Sequence, residues 1–417
     1  MTWTFITRYS ILLITGALIA LIWANISPEH YHSVVEFVLI EHSPIGHLHI
    51  DALGHSSRTL TLHYLVNDIL MAFFFAVAGK EVWEAVALKG GALRGKKALT
   101  PLFATAGGMF GPIAIYLGLA AMFGSTTYSA VANGWAIPTA TDIAFSYLIG
   151  RMVFGAGHPA VRFLLLLAIA DDAAGLLILA VFYPSAELAP SWLLLSLAGV
   201  LAIYFLFNWL PLRLDRGNPN KPVSSMVLKR FHFWPYALAG IASWYGFQEA
   251  GIHPALGLLP VIPIIPHADR DFGIIVPEDH HPKDLLNVIE HHLIIPVDII
   301  LFFFGLANAG VVFSAFGIPT VLVLAGLIVG KPVGIFLFGW IAASVFRFGV
   351  PEGMRLIDIL VLGFIAAIGF TVSLFVASVA FDPGPVQDAA KMGALLSLGA
   401  AAISIYAGIL FRVEKQE

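Results

Sequence analysis

The stretch FLLLLAIADDAAGLLILAVF, residues 163–182, places two neighbouring acids, Asp171 and Asp172, at the centre of an apolar run. Its length is about that of an α-helix crossing the hydrocarbon core of a bilayer, which takes roughly 20 residues. An ionisable side chain at that depth costs at least ~2.5 kcal/mol on insertion scales, so it indicates a functional site with a nearby partner. The stretch therefore predicts a membrane helix that carries a site.

The composition of the whole chain is that of an integral membrane protein. Of its 417 residues, 59% are hydrophobic and 12% are charged, and the mean hydropathy is +0.88. Soluble globular proteins carry about 25% charged residues, so a soluble fold is excluded. The small net charge of −4 argues against nucleic-acid binding, and the absence of cysteine excludes disulfides and thiolate metal sites.

Apolar windows between polar breaks predict an all-α membrane protein with about twelve transmembrane helices in one domain, 1–417. With both termini in the cytoplasm, 18 of the 22 Lys and Arg residues fall on the cytoplasmic side. Only Arg58 and Lys391, the latter at the outer end of the last span, are assigned to the external side, while Lys80 and Lys331 lie deep within spans. The predicted spans are 9–26, 60–86, 98–122, 133–151, 159–182, 191–211, 232–249, 253–266, 286–308, 317–346, 356–380 and 387–411.

Two of these spans are interrupted. Pro138 lies in NGWAIPTATDIAFS, with Asp142 beside it, and Gly369 lies in GFIAAIGFTVSLF. Non-helical backbone at membrane depth is tolerated only where it is buried in protein or lines a cavity. Each interrupted span is the middle one of three, in sets at approximately 98–182 and 317–411 that enter from opposite faces. Such an inverted repeat points to a transporter site; the alternative is two kinked helices without one.

The deep charges suggest what the site does. Burial and like charge both favour the protonated form of a carboxylate, so Asp171 and Asp172 would titrate as a unit and could exchange protons for a hard cation. Lys331 is the natural counter-ion for one of them. Asp142 could balance the partial positive charge at the N-terminal ends of two facing half-helices, and Lys331 could balance the partial negative charge at the C-terminal ends. The alternative is a structural ion pair beside one hydrogen-bonded acid.

Other charged groups are ambiguous. Glu81 and Glu84, with Lys80 beside them, could form a cation-attracting vestibule or a charged helix end. Asn67 and Asp68 suggest a polar cap at the other end of the same span.

Histidines are concentrated in two polar segments, 42–63 and 280–292. Histidine titrates near physiological pH, so the cytoplasmic segment could form a pH-sensing face or a plain solvated loop. The outer cluster could bind a metal, but its spacing matches no established site; it comprises His42, His47, His49 and His55.

Five ordered motifs carry a resemblance to a known family: GWAIPTATDIAFS, LLAIADDAAG, FGLANAGV, GKPVGI and GFTVSLFVASVAF. Together they resemble the NhaA family of bacterial sodium/proton antiporters, over residues from about 10 to 412. The resemblance implies two crossed, broken helices at the centre of the bacterial inner membrane. It also implies electrogenic exchange of intracellular Na⁺ or Li⁺ for external H⁺, with no cofactor and a possible homodimer among the membrane lipids.

The same resemblance implies roles for single residues in the predicted centre. Asp172 matches the family's essential cation ligand and proton carrier. Asp171 matches its neighbour, which alternates between a proton or cation and a bond to Lys331. Asp142 and Thr141 match the acid and the threonine of the first broken helix, which balance the helix dipoles and assist the cation.

Three further matches lie outside that centre. Glu81 and Asp68 match acids of the family's second helix, and His253 matches a histidine near its pH-responsive region. Trp83 and Glu84 depart from the family, because basic residues are expected at those positions.

Other functions remain open from the sequence. A transporter of the same fold could exchange K⁺ for H⁺ or take up an organic anion with sodium. An intramembrane aspartyl protease also uses two acids, but neighbours on one helix point about 100° apart and do not face each other. A scaffolding membrane protein is the remaining alternative. Ion exchange, substrate uptake and cleavage of a reporter segment would distinguish these functions.

Overall fold

The computed structural model describes residues 2–50, 56–88, 91, 93, 98–218, 221–267 and 285–416. Helices dominate these residues, in agreement with the apolar composition. They are α1 (Thr2–Ile26), α2 (Pro28–Val35), α3 (Leu62–Ala87), α4 (Leu99–Met122), α5 (Ser125–Val131), α6 (Ile143–Phe154), α7 (Pro159–Phe182), α8 (Pro190–Leu214), α9 (Pro222–Phe231), α10 (Trp234–Glu249), α11 (Leu285–Asn308), α12 (Ile318–Val345), α13 (Leu356–Ala366), α14 (Phe370–Ala380) and α15 (Pro385–Leu410). Tighter 3₁₀-helical turns cover Ala132–Thr139, Pro254–Leu256 and Leu259–Ile264.

The long helices confirm the prediction of an all-α, multi-pass membrane protein. Seven of them are long and apolar enough to cross a membrane, and α13 with α14 forms a further span bent by 53°. Each of the other predicted spans also carries helical structure, with shorter apolar segments at Ile11–Ile26, Ile143–Phe154 and Pro254–Ile264. The last of these is 3₁₀-helical because its prolines remove backbone donors.

A small antiparallel sheet, which the sequence did not predict, includes part of the histidine-rich segment 42–63. Its strands are β1 (Val38–Ile40), β2 (His47–Ile50) and β3 (Ser56–Thr61), with β3 in the centre. Arg58 on β3 forms an ion pair with Glu249 at 3.0 Å. Thr61 ends the sheet and caps α3 by accepting a hydrogen bond from Tyr64 N at 3.1 Å. Thr61 therefore fills the capping role that the sequence suggested for Asn67 and Asp68, and that suggestion was wrong.

The chain forms two compact units. One comprises Met1–Ser33, Gly90–Ile178 and Leu301–Glu417, and the other comprises Val34–Lys89 and Leu179–Ile300. The first unit contains nearly all of both predicted three-helix sets, and each set has the order helix, broken helix, helix. The opposite orientation of the two sets in a membrane stays a prediction.

Within the first unit, α4 and α12 approach until their backbones touch. A Cβ at Gly107 would overlap the carbonyl oxygen of Gly334, and a Cβ at Gly334 would overlap that of Gly107. Gly111 and Gly330 meet in the same way one turn further along. Small residues permit such close helix packing in membranes, where van der Waals contact drives association. The contact fixes α12 against α4 at Gly330 and Gly334, on either side of Lys331.

We expect Gly107→Ala to destabilise the protein by about 1–3 kcal/mol, because the added methyl group must push two backbones apart. Thermal unfolding of the purified protein in detergent measures the effect. Gly118→Ala on the same helix is the matched control, since among the described residues no atom beyond its own helical turn lies within 4 Å of its Cβ position. Equal melting temperatures for the two variants would show that α4 and α12 do not need this close approach.

Candidate functional site

The first break separates the 3₁₀-helical turn Ala132–Thr139 from α6. Pro138 cannot donate to the helical ladder, and the chain is extended at Ala140 (φ −71°, ψ 148°) and at Asp142 (φ −81°, ψ 105°). The Asp142 carboxylate then accepts a hydrogen bond from Phe145 N at 3.2 Å. Asp142 is therefore the N-cap of α6, a position that favours aspartate.

The second break separates α13 from α14 and meets the first. Asp142 N donates to Ile368 O at 2.7 Å, and Thr141 Oγ1 donates to Ala366 O at 3.2 Å. From the opposite side, Ser373 Oγ donates to Ile137 O at 2.8 Å. Backbone groups that one break leaves without a helical partner are thus satisfied by the other, as buried non-helical backbone requires.

Asp142 also reaches the start of α14. Its Oδ2 accepts hydrogen bonds from Thr371 N at 3.3 Å and from the Thr371 hydroxyl. The N-terminal ends of α6 and α14 both carry partial positive charge from their backbone N–H groups. One buried carboxylate therefore lies at both of these ends.

Lys331 lies on the other side of the first break from the start of α6, where the 3₁₀-helical turn ends. Its side chain is 0% exposed, and its Nζ donates to Asp171 Oδ2 at 3.0 Å and to the carbonyl oxygen of Thr139. Thr139 ends the 3₁₀-helical turn, where carbonyl groups carry partial negative charge. A π-helical turn, Gly326–Gly330, directly precedes Lys331, and Pro332 follows it. Local departures of this kind from α-helical geometry are frequent at functional sites.

The two aspartates of α7 differ in their surroundings. Asp171 is 4% exposed and bound to Lys331, with the Thr141 hydroxyl also close to its carboxylate. Asp172 is half-buried and interacts electrostatically with Asp171, Asp142 and Lys331. Within the described part of the chain, no donor forms a hydrogen bond to the Asp172 carboxylate. This carboxylate can take up a proton or a small hard cation.

Comparison with known proteins identifies the family. A sequence model of the family described as Na⁺/H⁺ antiporter 1 matches residues 5–410. The chain belongs to this family. It is 69% identical to the Na⁺/H⁺ antiporter NhaA of Jannaschia sp. (strain CCS1), over 100% of this chain and 99% of the relative. It is 46% identical to the NhaA of Desulfitobacterium hafniense, over 99% of this chain and 97% of the relative. It is 45% identical to the NhaA of Geotalea uraniireducens, over 98% of this chain and 96% of the relative.

In this member of the antiporter family, five of the eight residues to which the resemblance assigns a role lie together. They are Asp171, Asp172, Lys331, Asp142 and Thr141, all in the first compact unit. The other three, Glu81, Asp68 and His253, belong to the second unit and form two separate clusters.

The first of these clusters surrounds Asp68 in the second unit. His253 Nδ1 lies 3.7 Å from the Asp68 carboxylate, and Trp244 Nε1 donates to Asp68 O at 2.9 Å. Asp68 itself lies in a π-helical turn, Leu65–Leu70, near the start of α3. The structure thus places Asp68 next to His253, although the sequence singled them out in two different spans.

The second cluster surrounds Lys80, also in the second unit. The Lys80 Nζ lies 2.9 Å from a carboxylate oxygen of Glu84, 2.7 Å from one of Glu290 and 3.8 Å from one of Glu81. Sequence reasoning missed Glu290, which lies near the start of the predicted span 286–308, inside the histidine-rich segment 280–292. The signal that could have identified it is Lys80, a lysine within a span that requires acidic partners.

The described residues also bear on the metal site that the sequence suggested for the histidine-rich segment 42–63. Among the residues that the structure describes, no group of three His, Cys, Asp or Glu side chains could hold a metal ion. His47 stacks near His63, with ring centroids 6.4 Å apart. The histidines His55, His280 and His281 lie outside the described residues, as do the predicted cytoplasmic cations Lys89, Arg94, Lys96, Lys97, Arg270 and Lys283.

Proposed function

We propose that this chain is a secondary transporter that exchanges intracellular Na⁺ or Li⁺ for external H⁺ across the bacterial inner membrane, with both termini in the cytoplasm. The observation that carries the proposal is a half-buried carboxylate, Asp172, next to an acid bound by a buried lysine, Asp171 with Lys331. Family membership supports the same substrates, because the relatives are named Na⁺/H⁺ antiporters. Transport of this kind forms no covalent intermediate and needs no cofactor, and the proposal assigns the protein no enzymatic activity.

The cation and the protons compete for the same oxygens. Asp172 is protonated before the cation arrives, while Asp171 is bound to protonated Lys331. Na⁺ displaces the proton of Asp172 and draws Asp171 away from Lys331, which then releases its own proton. Two protons leave for each cation, so the exchange moves net charge. When the cation leaves on the other side, the acid and the lysine regain their protons.

The residues of the crossing support this exchange. Asp142 holds negative charge between the N-terminal ends of α6 and α14, and Lys331 balances the carbonyl end at Thr139. Thr141, which is fully buried at the first break, assists the cation next to Asp171. The oxygens present, from carboxylate and hydroxyl groups, suit a small hard cation.

The two clusters of the second unit have a supporting role in this proposal. Glu81 forms part of a vestibule with a surplus of carboxylates around Lys80, which attracts cations. Asp68 and His253 contribute to the pH response. The protein works within the lipid bilayer, and two copies of the chain associate as a homodimer.

Reconstitution into proteoliposomes tests the function. With a proton gradient imposed and a pH dye enclosed, Na⁺ or Li⁺ should collapse the gradient, and a K⁺ pulse measures selectivity. Because protons compete with the cation, the Na⁺ concentration for half-maximal response should fall as pH rises. Failure of every cation at every pH would overturn the antiporter proposal. Sodium-dependent uptake of an organic anion would then be measured in the same vesicles.

A further inference from the structure

The last turn of α15 is followed by a short segment that folds back onto α6. Arg412 has a left-handed backbone (φ 49°), and its N–H donates to Ile409 O at 3.1 Å. Val413 N donates to Gly408 O at 2.9 Å. These two hydrogen bonds form a Schellman motif, which ends a helix and turns the chain. Residues 413–416, which we call the strap, thereby lead from the end of α15 to the end of α6.

The strap binds the loop between α6 and α7 through its main chain. Gln416 N donates to Phe154 O at 2.9 Å, and Gly157 N donates to Gln416 O at 3.1 Å. Phe154 is the last residue of α6, so its carbonyl group has no partner within the helix. A Cβ at Gly155 would overlap the carbonyl oxygen of Gln416. The loop is therefore shaped to receive the strap.

Arg355 connects the end of α15 with the start of α13. Its guanidinium donates to Phe411 O at 3.4 Å and to Arg412 O at 3.2 Å, just after the last residue of α15. The same group donates to Asp358 Oδ1 at 3.0 Å, and Arg355 N donates to Asp358 Oδ2 at 2.7 Å. Asp358 is 1% exposed and lies in the first turn of α13. The cation and the anion each complement the partial charge of the helix end that they contact.

From these contacts we infer that the strap and Arg355 tie α6 to α13 through the end of α15, so that the two broken helices move as one body. The same two helices also meet at the crossing, where Ser146 Oγ of α6 donates to Ile365 O of α13 at 3.1 Å. The strap and Arg355 act at the opposite ends of both helices. Two ties, one at each end, resist rotation of α6 against α13.

The tie also reaches the helix that carries the aspartate pair. The loop that receives the strap leads directly into α7, where His158 Nδ1 accepts a hydrogen bond from Ala160 N at 3.1 Å. A released strap would let α7 and the crossing shift against each other, which would disturb the arrangement of Asp171 and Asp172. This consequence rests on the proposed function, whereas the tie between α6 and α13 does not.

Hydrogen–deuterium exchange of the purified protein in detergent, read by mass spectrometry, tests the tie. A chain that ends at Arg412 lacks the strap. We expect its backbone amides in 132–154 and 356–371 to exchange several-fold faster than in wild type, because local opening of these segments becomes easier. Exchange in α8 and α10, which belong to the second compact unit, should stay unchanged. Overall destabilisation would instead accelerate exchange in both units.

Point variants displace the strap without removing it. Gly155→Ala places a methyl group against the strap and should accelerate exchange in the same segments. Gly349→Ala is the matched control, because both glycines have positive φ, 85° and 76°. Apart from its chain neighbours, no atom of the described residues lies within 4 Å of the Gly349 Cβ position. Gln416→Ala keeps the main-chain bonds and should match wild type.

A disulfide can replace the strap, because the chain contains no cysteine. A Cβ at Gly408 would lie 3.7 Å from the Val153 Cβ, a separation that suits a disulfide. In the chain that ends at Arg412, oxidised Val153→Cys with Gly408→Cys should restore slow exchange in the broken helices, and reduction should abolish the rescue. If that chain fails to fold in detergent, Gly155→Ala carries the same test, with the elution volume as the check on folding.

Three results would overturn the inference: wild-type exchange without the strap, equal effects of Gly155→Ala and Gly349→Ala, or no rescue by the disulfide. In proteoliposomes, loss of the strap should slow Na⁺-driven proton movement several-fold, and the disulfide should restore the rate. Faster exchange confined to the broken helices, in a protein whose wild type moves no protons with Na⁺, would support the tie and overturn the antiporter proposal.

Discussion

Replacing Asp172 by asparagine is expected to abolish Na⁺-driven proton movement at every pH, down to the background of protein-free vesicles. Asparagine keeps the size of the side chain but can neither carry the exchanged proton nor offer a charged oxygen to the cation. Asp172 is half-buried and receives no hydrogen bond from the described residues. The substitution therefore removes the titratable, cation-binding carboxylate without breaking a hydrogen bond that holds the fold together. The proteoliposome dye assay measures the loss, and the melting temperature should change little.

Two controls sharpen this test. Asp172→Glu retains a carboxylate and should retain part of the exchange. Asp388→Asn makes the same chemical change at a half-buried acid in α15, and should transport like wild type. Normal exchange by Asp172→Asn would show that the cation and proton bind elsewhere.

The second large effect concerns stability. Lys331→Met leaves the buried carboxylate of Asp171 without its counter-ion and the carbonyl oxygen of Thr139 without its donor. Removing one partner of a buried ion pair typically costs about 3–5 kcal/mol, because the remaining charge is desolvated and uncompensated. We therefore expect a marked fall in the thermal unfolding temperature of Lys331→Met in detergent.

The double variant Lys331→Met with Asp171→Asn separates charge from packing. Removing the uncompensated charge should recover most of the lost stability, since apolar or neutral replacements of whole buried pairs are often tolerated. Lys229→Met, at an exposed lysine of α9, controls for loss of a positive charge. Equal stability of the single and double variants would mean that Lys331 and Asp171 are not coupled.

The sequence was informative wherever a local pattern has a direct physical meaning. Twelve apolar windows predicted where helices lie, because hydrocarbon thickness sets their length. Pro138 and Gly369 marked both breaks, because proline removes a donor and glycine weakens a helix. Asp171, Asp172 and Lys331 were conspicuous as charges in apolar runs, and the structure places all three in the same compact unit.

Contacts between distant positions were beyond the sequence. Thr371 and Asp142 are 229 positions apart, and a threonine in an apolar helix is too common to indicate a partner. The acceptor of Lys331 at Thr139 is a main-chain carbonyl, which no side-chain pattern reveals. Glu290 joins Lys80 only after α11 has folded against α3. The small sheet was missed because its three strands are short and two of them, β2 and β3, are rich in polar residues.

The central claim is that Na⁺ and protons occupy one site alternately, and proton release on cation binding tests it most directly. Purified protein in weakly buffered detergent solution would receive Na⁺ at a series of pH values while a pH indicator is followed. We expect Na⁺ to release protons from wild type over the pH range in which Asp172 and Lys331 are protonated. The variant with both Asp171→Asn and Asp172→Asn should release none. Na⁺ binding to wild type without proton release, or equal release by the double variant, would contradict a shared site at the aspartate pair.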